Sequence, residues 1–308
     1  MTTADPRFPL DQYHALRTGF GFIPLARWSS VTFTGADRQV FLNNFCTNDV
    51  KRLLPGEHCE AFITNVKGKV LGHGLVDCRT EELVFITVPE QAASLIEHLD
   101  RYIIREDVQL RDSTAERAYL LVSGGDGAGR GQVAEDWIHW RLLDTELCGL
   151  CETTPADLPR VVQELLAAGA VECSEAAFLA MRIEAGTPLF GIDFGADNLP
   201  QEVSRDEFAI SFTKGCYLGQ ETVARIDAMG HVNQTLVGVR FAGPNVPQAG
   251  LELTSGESPV GRVTSASFSP RLESPLALAM VRRQWIPAGT LLESAAGLCE
   301  VVDLPVHE

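Results

Sequence analysis

Past residue 234 the chain stops mixing helix and strand signals and becomes a series of short β runs. TLVGVRF, GLELTS, PVGRVTSASFS, LALAMVRR, TLLES and CEVVDLP follow one another, separated by Gly, Pro and Ser turns. Strands this short and this regularly interrupted close into a small barrel or sandwich. Residues 234–308 are therefore expected to form a β-barrel unit of their own. The chain has 308 residues in all, and domains run to about 100–150 residues, so there is room for one or two further units before it.

Those two units read as mixed. In the first, residues 1–115, the opening 27 residues combine Pro, Gly and aromatics without periodicity. SSVTFTG then predicts a short β-branched strand, and ADRQVFLNNF a helix with Val40, Phe41 and Phe45 at helical spacing. CEAFITNVKGKVLGHGLVDC predicts a hairpin turning at Asn65–Gly68, LVFITV a further strand, and PEQAASLIEHLDRYI a helix opened by Pro89. In the second unit, residues 116–233, RAYLLVSG and DWIHWRLL predict strands. PADLPRVVQELLAAGA is an amphipathic helix, and SEAAFLAMRIEAG a second one, capped by Ser174 and stopped at Gly186. Residues 187–215 are irregular. Helices and hairpins interleaved in this way fit an α+β fold better than a doubly wound parallel sheet.

Charge narrows the function. Asp and Glu number 41 against 25 Lys and Arg, a net charge of −16. That balance argues against direct binding to nucleic acid or to an anionic membrane, while leaving room for a local basic pocket around a small anion. No run approaches the ~20 apolar residues of a membrane span, and MTTADPRFPL has neither the basic nor the apolar region of a signal peptide. The eight cysteines are accordingly expected to be reduced thiols in a cytoplasmic protein. Cys148-Gly-Leu-Cys151 is a lone pair inside an apolar run and reads as two small buried hydrophobes. With His58, Cys59, His73 and Cys78 too scattered for a ligand set, no metal site is expected. Gly129-x-Gly131-x-x-Ala134 superficially matches a dinucleotide fingerprint, but its loop is too long and no βαβ units surround it, so NAD is rejected.

The segment Ser211–Arg225, SFTKGCYLGQETVAR, is different. Gly215 and Gly219 bracket a thiol and an aromatic ring, Cys216 and Tyr217, and permit close backbone approach. Lys214, two residues before Cys216, can favour its thiolate, as can a helix opening at ETVARI. Gln220, Glu221 and Arg225 add polar groups. On spacing alone, a functional thiol with Lys214 beside it and a Gly-kinked turn around a buried Cys are equally good accounts.

This segment resembles the signature of the YgfZ-type folate-binding proteins, relatives of the glycine-cleavage T-protein. The resemblance extends to Phe41-Leu-Asn43 with Thr47-Asn-Asp-Val50, to AFITNVKGKV, to Arg182-Ile-Glu-Ala-Gly186, to Asn198-Leu-Pro-Gln-Glu202 and to VGRVTSASFSPRLESPLALAMV. It covers roughly residues 28–305 in family order.

The resemblance implies a three-part ring, two mixed α/β units and the barrel, around a central pocket for tetrahydrofolate or a derivative. It makes Arg182 the first candidate for gripping a folate carboxylate, with pairing of Arg182 to Glu184 or a nearby Asp as the alternative. Asn65 and Asn48 are candidates for the pterin edge, or else turn residues. The aminomethyltransferases of this group carry an acidic pair in the second hairpin arm. Here Gly72 and His73 fall at those places and Asp77 lies several residues later. Glycine cleavage is therefore not expected. The implied function is a folate-binding accessory protein for the assembly or repair of iron–sulfur proteins, with those proteins or their assembly factors as partners and Cys216 as its thiol. A folate-dependent aminomethyl or one-carbon transferase and a non-catalytic iron–sulfur adaptor are the alternatives.

Overall fold

In the computed structural model of the chain, residues 9–124, 137–145 and 147–307 are described. The Gly129–Ala134 fingerprint lies outside them. The chain runs α1 (Leu10–Arg17), β1 (Phe20–Leu25), β2 (Ser29–Thr34), α2 (Arg38–Asn43), β3 (His58–Thr64), β4 (Val70–Cys78), β5 (Leu83–Thr87), α3 (Ala92–Asp100) and β6 (Gln109–Asp112). It continues through β7 (Ala118–Gly124), β8 (Ile138–His139), β9 (Leu147–Thr153), α4 (Leu158–Ala167), β10 (Val171–Glu172) and α5 (Glu175–Glu184). A connecting segment holds α6 (Asp206–Ala209) and α7 (Gln220–Met229). The last strands are β11 (Gln234–Phe241), β12 (Glu252–Ser255), β13 (Ser258–Ser269), β14 (Ser274–Arg282), β15 (Leu291–Leu292) and β16 (Cys299–Val302).

These strands make three sheets, and the fold is mixed α/β with a six-stranded C-terminal barrel. The first sheet, β3-β4-β5-β2-β6, is antiparallel throughout. Its inner face carries Val31, Phe33 and Phe85 against Phe41 and Leu42 of α2 and Leu95 and Leu99 of α3. The second sheet runs β10-β1-β7-β9-β8. Its strand β1 comes from the aperiodic N-terminal stretch and pairs with β7, Gly21 opposite Ser123, so the unit expected over 1–115 gives its first strand to its neighbour. FGFIPL is buried along most of its length, which suits a central position rather than an edge. The third sheet runs β12-β13-β14-β11-β16-β15. Thr254 and Glu293 exchange two backbone hydrogen bonds, 2.8 and 2.9 Å, that all but close it into a barrel.

Local chemistry explains where the elements stop. Ser174 precedes α5 with extended backbone, and Gly186 follows it at φ +72°. α3 begins at Ala92 rather than at Pro89, because Glu90 takes φ +67° and turns the chain first. Of DWIHWRLL only Ile138 and His139 pair with β9; the chain then bends to bury Trp140, Leu142 and Leu143. Val40 is exposed, and Phe41 packs against Phe45 instead, ring centroids 4.8 Å apart and planes tilted by 45°. Cys148 and Cys151 are both buried on β9 but enter different cores, because residues three apart on a strand face opposite ways.

Candidate functional site

The Cys216 loop is fixed by a contact between two turns. Gly219 precedes α7 at φ +86°, and a Cβ there would lie 2.4 Å from the Asn65 carbonyl oxygen and 2.7 Å from the Gly68 Cα. No residue but glycine can make that approach. Leu218 N–H donates to the Asn44 carbonyl at 2.8 Å, and Thr64 Oγ1 donates to the Leu218 carbonyl at 2.6 Å. The loop is thereby pinned across the hairpin tip and the end of α2. Cys216 itself is the one exposed thiol of the eight. It opens on a surface groove of about 420 Å³ lined also by Asn44, Asp49, Lys51 and Arg52.

Lys214 points elsewhere. Its buried Nζ donates to the carbonyls of Asn43, Cys46 and Asn48, each at 2.7 Å, and lies 4.9 Å from the centre of the Tyr217 ring. The expected activation of Cys216 by Lys214 is not what this geometry offers: the ammonium is held by three carbonyls and stands 3.9 Å from Cys46 Sγ. Burial lowers the Lys214 pKa from its ordinary value and raises that of Cys46. Glu221 and Arg225 lie exposed on α7, and Gln220 is half-buried at its start.

The three residues expected at a folate are structural ties. Asn65 Oδ1 accepts from the N–H groups of Lys67 and Lys69, which makes it a turn residue. Asn48 Nδ2 donates to the carbonyls of Glu60 and Phe208 at 2.8 and 2.9 Å. Arg182 is 2% exposed and donates through Nη1 to Asp193 Oδ2 at 2.8 Å. Asp193 Oδ1 in turn accepts from Thr264 and Ser265 of β13. The pair staples α5 to the barrel, as the alternative reading of Arg182 has it.

The hairpin place of the missing acids is closed as well. A Cβ on Gly72 would lie 2.8 Å from Leu95 Cδ2, so a side chain added there requires the tip of Leu95 on α3 to move. His73 is buried between the rings of Phe62 and Phe194 and bonds through Nε2 to Glu60 Oε1 at 2.7 Å. Glu60 also accepts from Arg205 Nε at 2.8 Å, Arg205 Nη2 at 2.5 Å and Trp140 Nε1 at 3.0 Å. Burial alone would raise the Glu60 pKa, but Arg205 and His73 outweigh it and hold the carboxyl well below the usual range. Asp77 lies at the far end of β4, bonded to Arg79 at 2.7 Å.

A more open site lies on the other side of Arg205. A cleft of about 590 Å³ runs between the second unit, the connecting segment and the barrel. Its apolar wall includes Leu143, Leu236, Val302 and Leu304. Its polar side carries Arg141, Thr187, Arg205, Asp206 and Phe208. Two cations lie near the Phe208 ring, Arg205 Cζ at 4.3 Å and Arg141 Cζ at 5.7 Å from its centre. Arg141 is exposed and has no carboxylate partner among the described residues. Two buried atoms here also lack hydrogen-bond partners among the described residues: Thr187 Oγ1, on a residue 1% exposed, and Asp206 Oδ1. None of these five was picked out from the sequence. RDEF reads as a short solvated run, and only its crowding of acid and aromatic beside the Asn198–Glu202 element hints otherwise. Among the described residues, no three His, Cys, Asp or Glu side chains gather as metal ligands, and no helix is long and apolar enough to cross a membrane.

Comparison with known proteins gives a consistent picture. Residues 8–128 match the GCVT N-terminal domain, and residues 234–306 the glycine cleavage T-protein C-terminal barrel domain. An aminomethyltransferase from Rubrobacter xylanophilus is 26% identical over 292 residues, covering 88% of this chain and 78% of its own. One from Nostoc sp. is 23% identical over 316 residues, covering 92% and 82%. The crystal structure of glycine cleavage system aminomethyltransferase T from Bartonella henselae superposes with a TM-score of 0.84 at 18% identity, over 96% of this chain and 88% of that one.

Proposed function

Because this chain belongs to the glycine cleavage T-protein superfamily, we propose that it binds tetrahydrofolate or a derivative in the 590 Å³ cleft and serves as an accessory to iron–sulfur proteins through the Cys216 thiol. The observation that carries the folate reading is the cleft itself, which sets the exposed Phe208 ring and the Arg141 guanidinium, without a carboxylate partner among the described residues, on one wall with Asp206. A flat heteroaromatic ring bearing N–H groups and an anionic tail fits this lining: Phe208 to stack on, the half-buried Asp206 to bond to, and Arg141 to receive a carboxylate. A cleft of this size falls within the range of small-molecule sites, about 300–1,000 Å³. When bound, a reduced folate supplies a carrier for one-carbon groups.

The accessory role rests on two observations. Cys216 is exposed on a loop that rigid turns hold in place, and the hairpin has no free carboxylate to work on a folate nitrogen. A folate-dependent transferase is the second reading, favoured by the names of the relatives. Calorimetric titration of the wild-type protein and Arg141→Ala with tetrahydrofolate tests the first part, with saturable binding expected and the variant weaker. Restoration of iron–sulfur enzyme activity in a deletion strain by wild type but not by Cys216→Ser tests the second. No binding by folded wild type refutes the folate reading, and full complementation by Cys216→Ser refutes the thiol's part.

A further inference from the structure

All four lysines of the chain gather around the Cys216 loop. Lys214 belongs to it, Lys51 shares its groove, and Lys67 and Lys69 stand on the β3–β4 hairpin tip that Gly219 touches. Two of them are spent on the fold, Lys214 Nζ on three carbonyls and Lys69 Nζ on the Asp197 carbonyl at 2.6 Å. The other two, Lys51 and Lys67, are exposed and pair with no carboxylate among the described residues. Arg225 is likewise exposed and unpaired among the described residues. It stands on the same side, because Thr222, one turn before it on α7, meets Gly68 of the hairpin tip. Arg52 completes the set at the groove, bonded to Asp49 at 3.1 Å. The acids among these groups are Asp49, Asp197 and Glu221. Cations therefore outnumber acids around the one exposed thiol, on a chain whose net charge is −16. Val40 in the groove and Val66 at the hairpin tip add exposed apolar surface.

We propose that this face docks an acidic segment of a partner protein and brings that segment's cysteine, held in a disulfide, to Cys216. This rests on the reading of Cys216 as the working thiol and adds to it the chemistry of what meets it. Exposed lysine and arginine around a groove select carboxylates by charge and raise the rate of encounter. The patch is too small and too interleaved with acids for a nucleic acid, which takes a continuous basic stripe. The groove of about 420 Å³ has room for a cysteine side chain and its neighbours. Once the segment is docked, the step is a thiol–disulfide exchange. The Cys216 thiolate attacks the partner's sulfur, and an S–S bond forms between the two cysteines. The older S–S bond breaks, and its outgoing sulfur keeps the electron pair and takes up the proton that Cys216 gave up.

The test is exchange with two peptides of equal length, each carrying one cysteine as its 2-pyridyl disulfide, flanked by glutamates in one and by lysines in the other. Release of pyridine-2-thione measures the rate, and Cys216→Ser gives the background. The sign of the preference decides, because the overall charge of −16 would by itself favour the basic peptide. The acidic peptide is expected to react about ten- to a hundredfold faster at low salt. That preference should collapse toward 1 M salt, where screening shortens to about 3 Å. Lys51→Glu combined with Lys67→Glu should reverse it, and Arg160→Glu, on α4 of the second unit, should leave it; thermal melting verifies that each variant folds. Equal rates, or faster reaction of the basic peptide, overturn the docking assignment and leave the thiol reading to its complementation test. A preference for the acidic peptide beside full complementation by Cys216→Ser overturns the thiol reading, and the partner's cysteine with it. Stronger protection of Cys216 by an RNA oligonucleotide than by the acidic peptide with serine for cysteine overturns the assignment in favour of a nucleic acid. A wild-type dimer that the double lysine variant dissolves overturns it in favour of a second copy of this chain.

Discussion

Replacing Glu60 by Gln tests whether the first unit is tied to the rest of the molecule through one buried charge. Glu60 sits on β3, its side chain 5% exposed, and accepts four hydrogen bonds from His73, Arg205 and Trp140. Glutamine keeps the volume, but turns an amide donor toward a guanidinium or an indole that also donates, and leaves the Arg205 charge buried without a counter-ion. Breaking a buried pair in this way destabilises by about 3–5 kcal/mol. Both partners are nearly fully buried, so solvent screening takes little from that figure. Adding Arg205→Met removes the orphaned cation and should return part of the loss, a coupling of about 1–3 kcal/mol. Urea unfolding followed by tryptophan fluorescence reads both, with Trp140 reporting from within the cluster. The pH dependence has a fixed sign. The folded-state pKa of Glu60 lies below its ordinary value of 4.5, so its contribution is complete above 4.5 and is lost only as pH falls toward the depressed value. Glu60→Gln should therefore be less acid-sensitive than wild type below pH 4.5. Strictly additive losses in the cycle, or a single variant within about 0.5 kcal/mol of wild type, refute the reasoning.

Three further outcomes follow from the same geometry. Lys214→Ala leaves three carbonyls facing a cavity and should destabilise by about 1–3 kcal/mol; methylammonium in the buffer should restore part of this in thermal melts, and a variant as stable as wild type would show that the ammonium ties nothing. Arg182→Ala leaves Asp193 buried without its partner and should destabilise by about 3–5 kcal/mol, so a selective loss of folate affinity with unchanged urea midpoint would reverse the structural reading of this residue. In native wild type one thiol, Cys216, should react rapidly with an aromatic disulfide reagent; Cys216→Ser should abolish the fast phase, and a second fast thiol would contradict the burial of six of the others and the partial burial of Cys59.

What could be read from the sequence was local. The β3–β4 hairpin declares itself because its register and turn residues are contiguous, and α5 because Ser174 and Gly186 bracket it. The barrel strands stand out by their turns. α1 and β1 were hidden because LDQYHALR is polar for a core-facing helix, while FGFIPL is buried on both sides and so does not alternate. The same distinction divides the site. The spacing of Gly215, Cys216 and Gly219 is visible within a few residues; the close backbone approach it suggests is made at Gly219 and not at Gly215, where a Cβ would meet nothing within 4 Å. The partners of Lys214 are carbonyls 166 to 171 residues away, and Arg205 finds Glu60 across 145. No periodicity encodes such pairs. Asp206 went unmarked because its chemistry comes from what the fold withholds, a hydrogen-bond donor, and no sequence pattern displays an absence.

The closed hairpin and the open cleft belong to one arrangement. Leucine from α3 lies beside Gly72, and His73 is turned inward onto Glu60, so an acid restored at Gly72 requires Leu95 to move and one at His73 disrupts the ion cluster. Glu60 in turn fixes Arg205, and Arg205 stacks on Phe208 at the wall of the cleft. The buried network thus positions the aromatic floor on which a planar ligand would lie. The hairpin in this protein serves to organise the cleft from behind, and the groups free to meet a ligand stand on the connecting segment between Thr187 and Phe208.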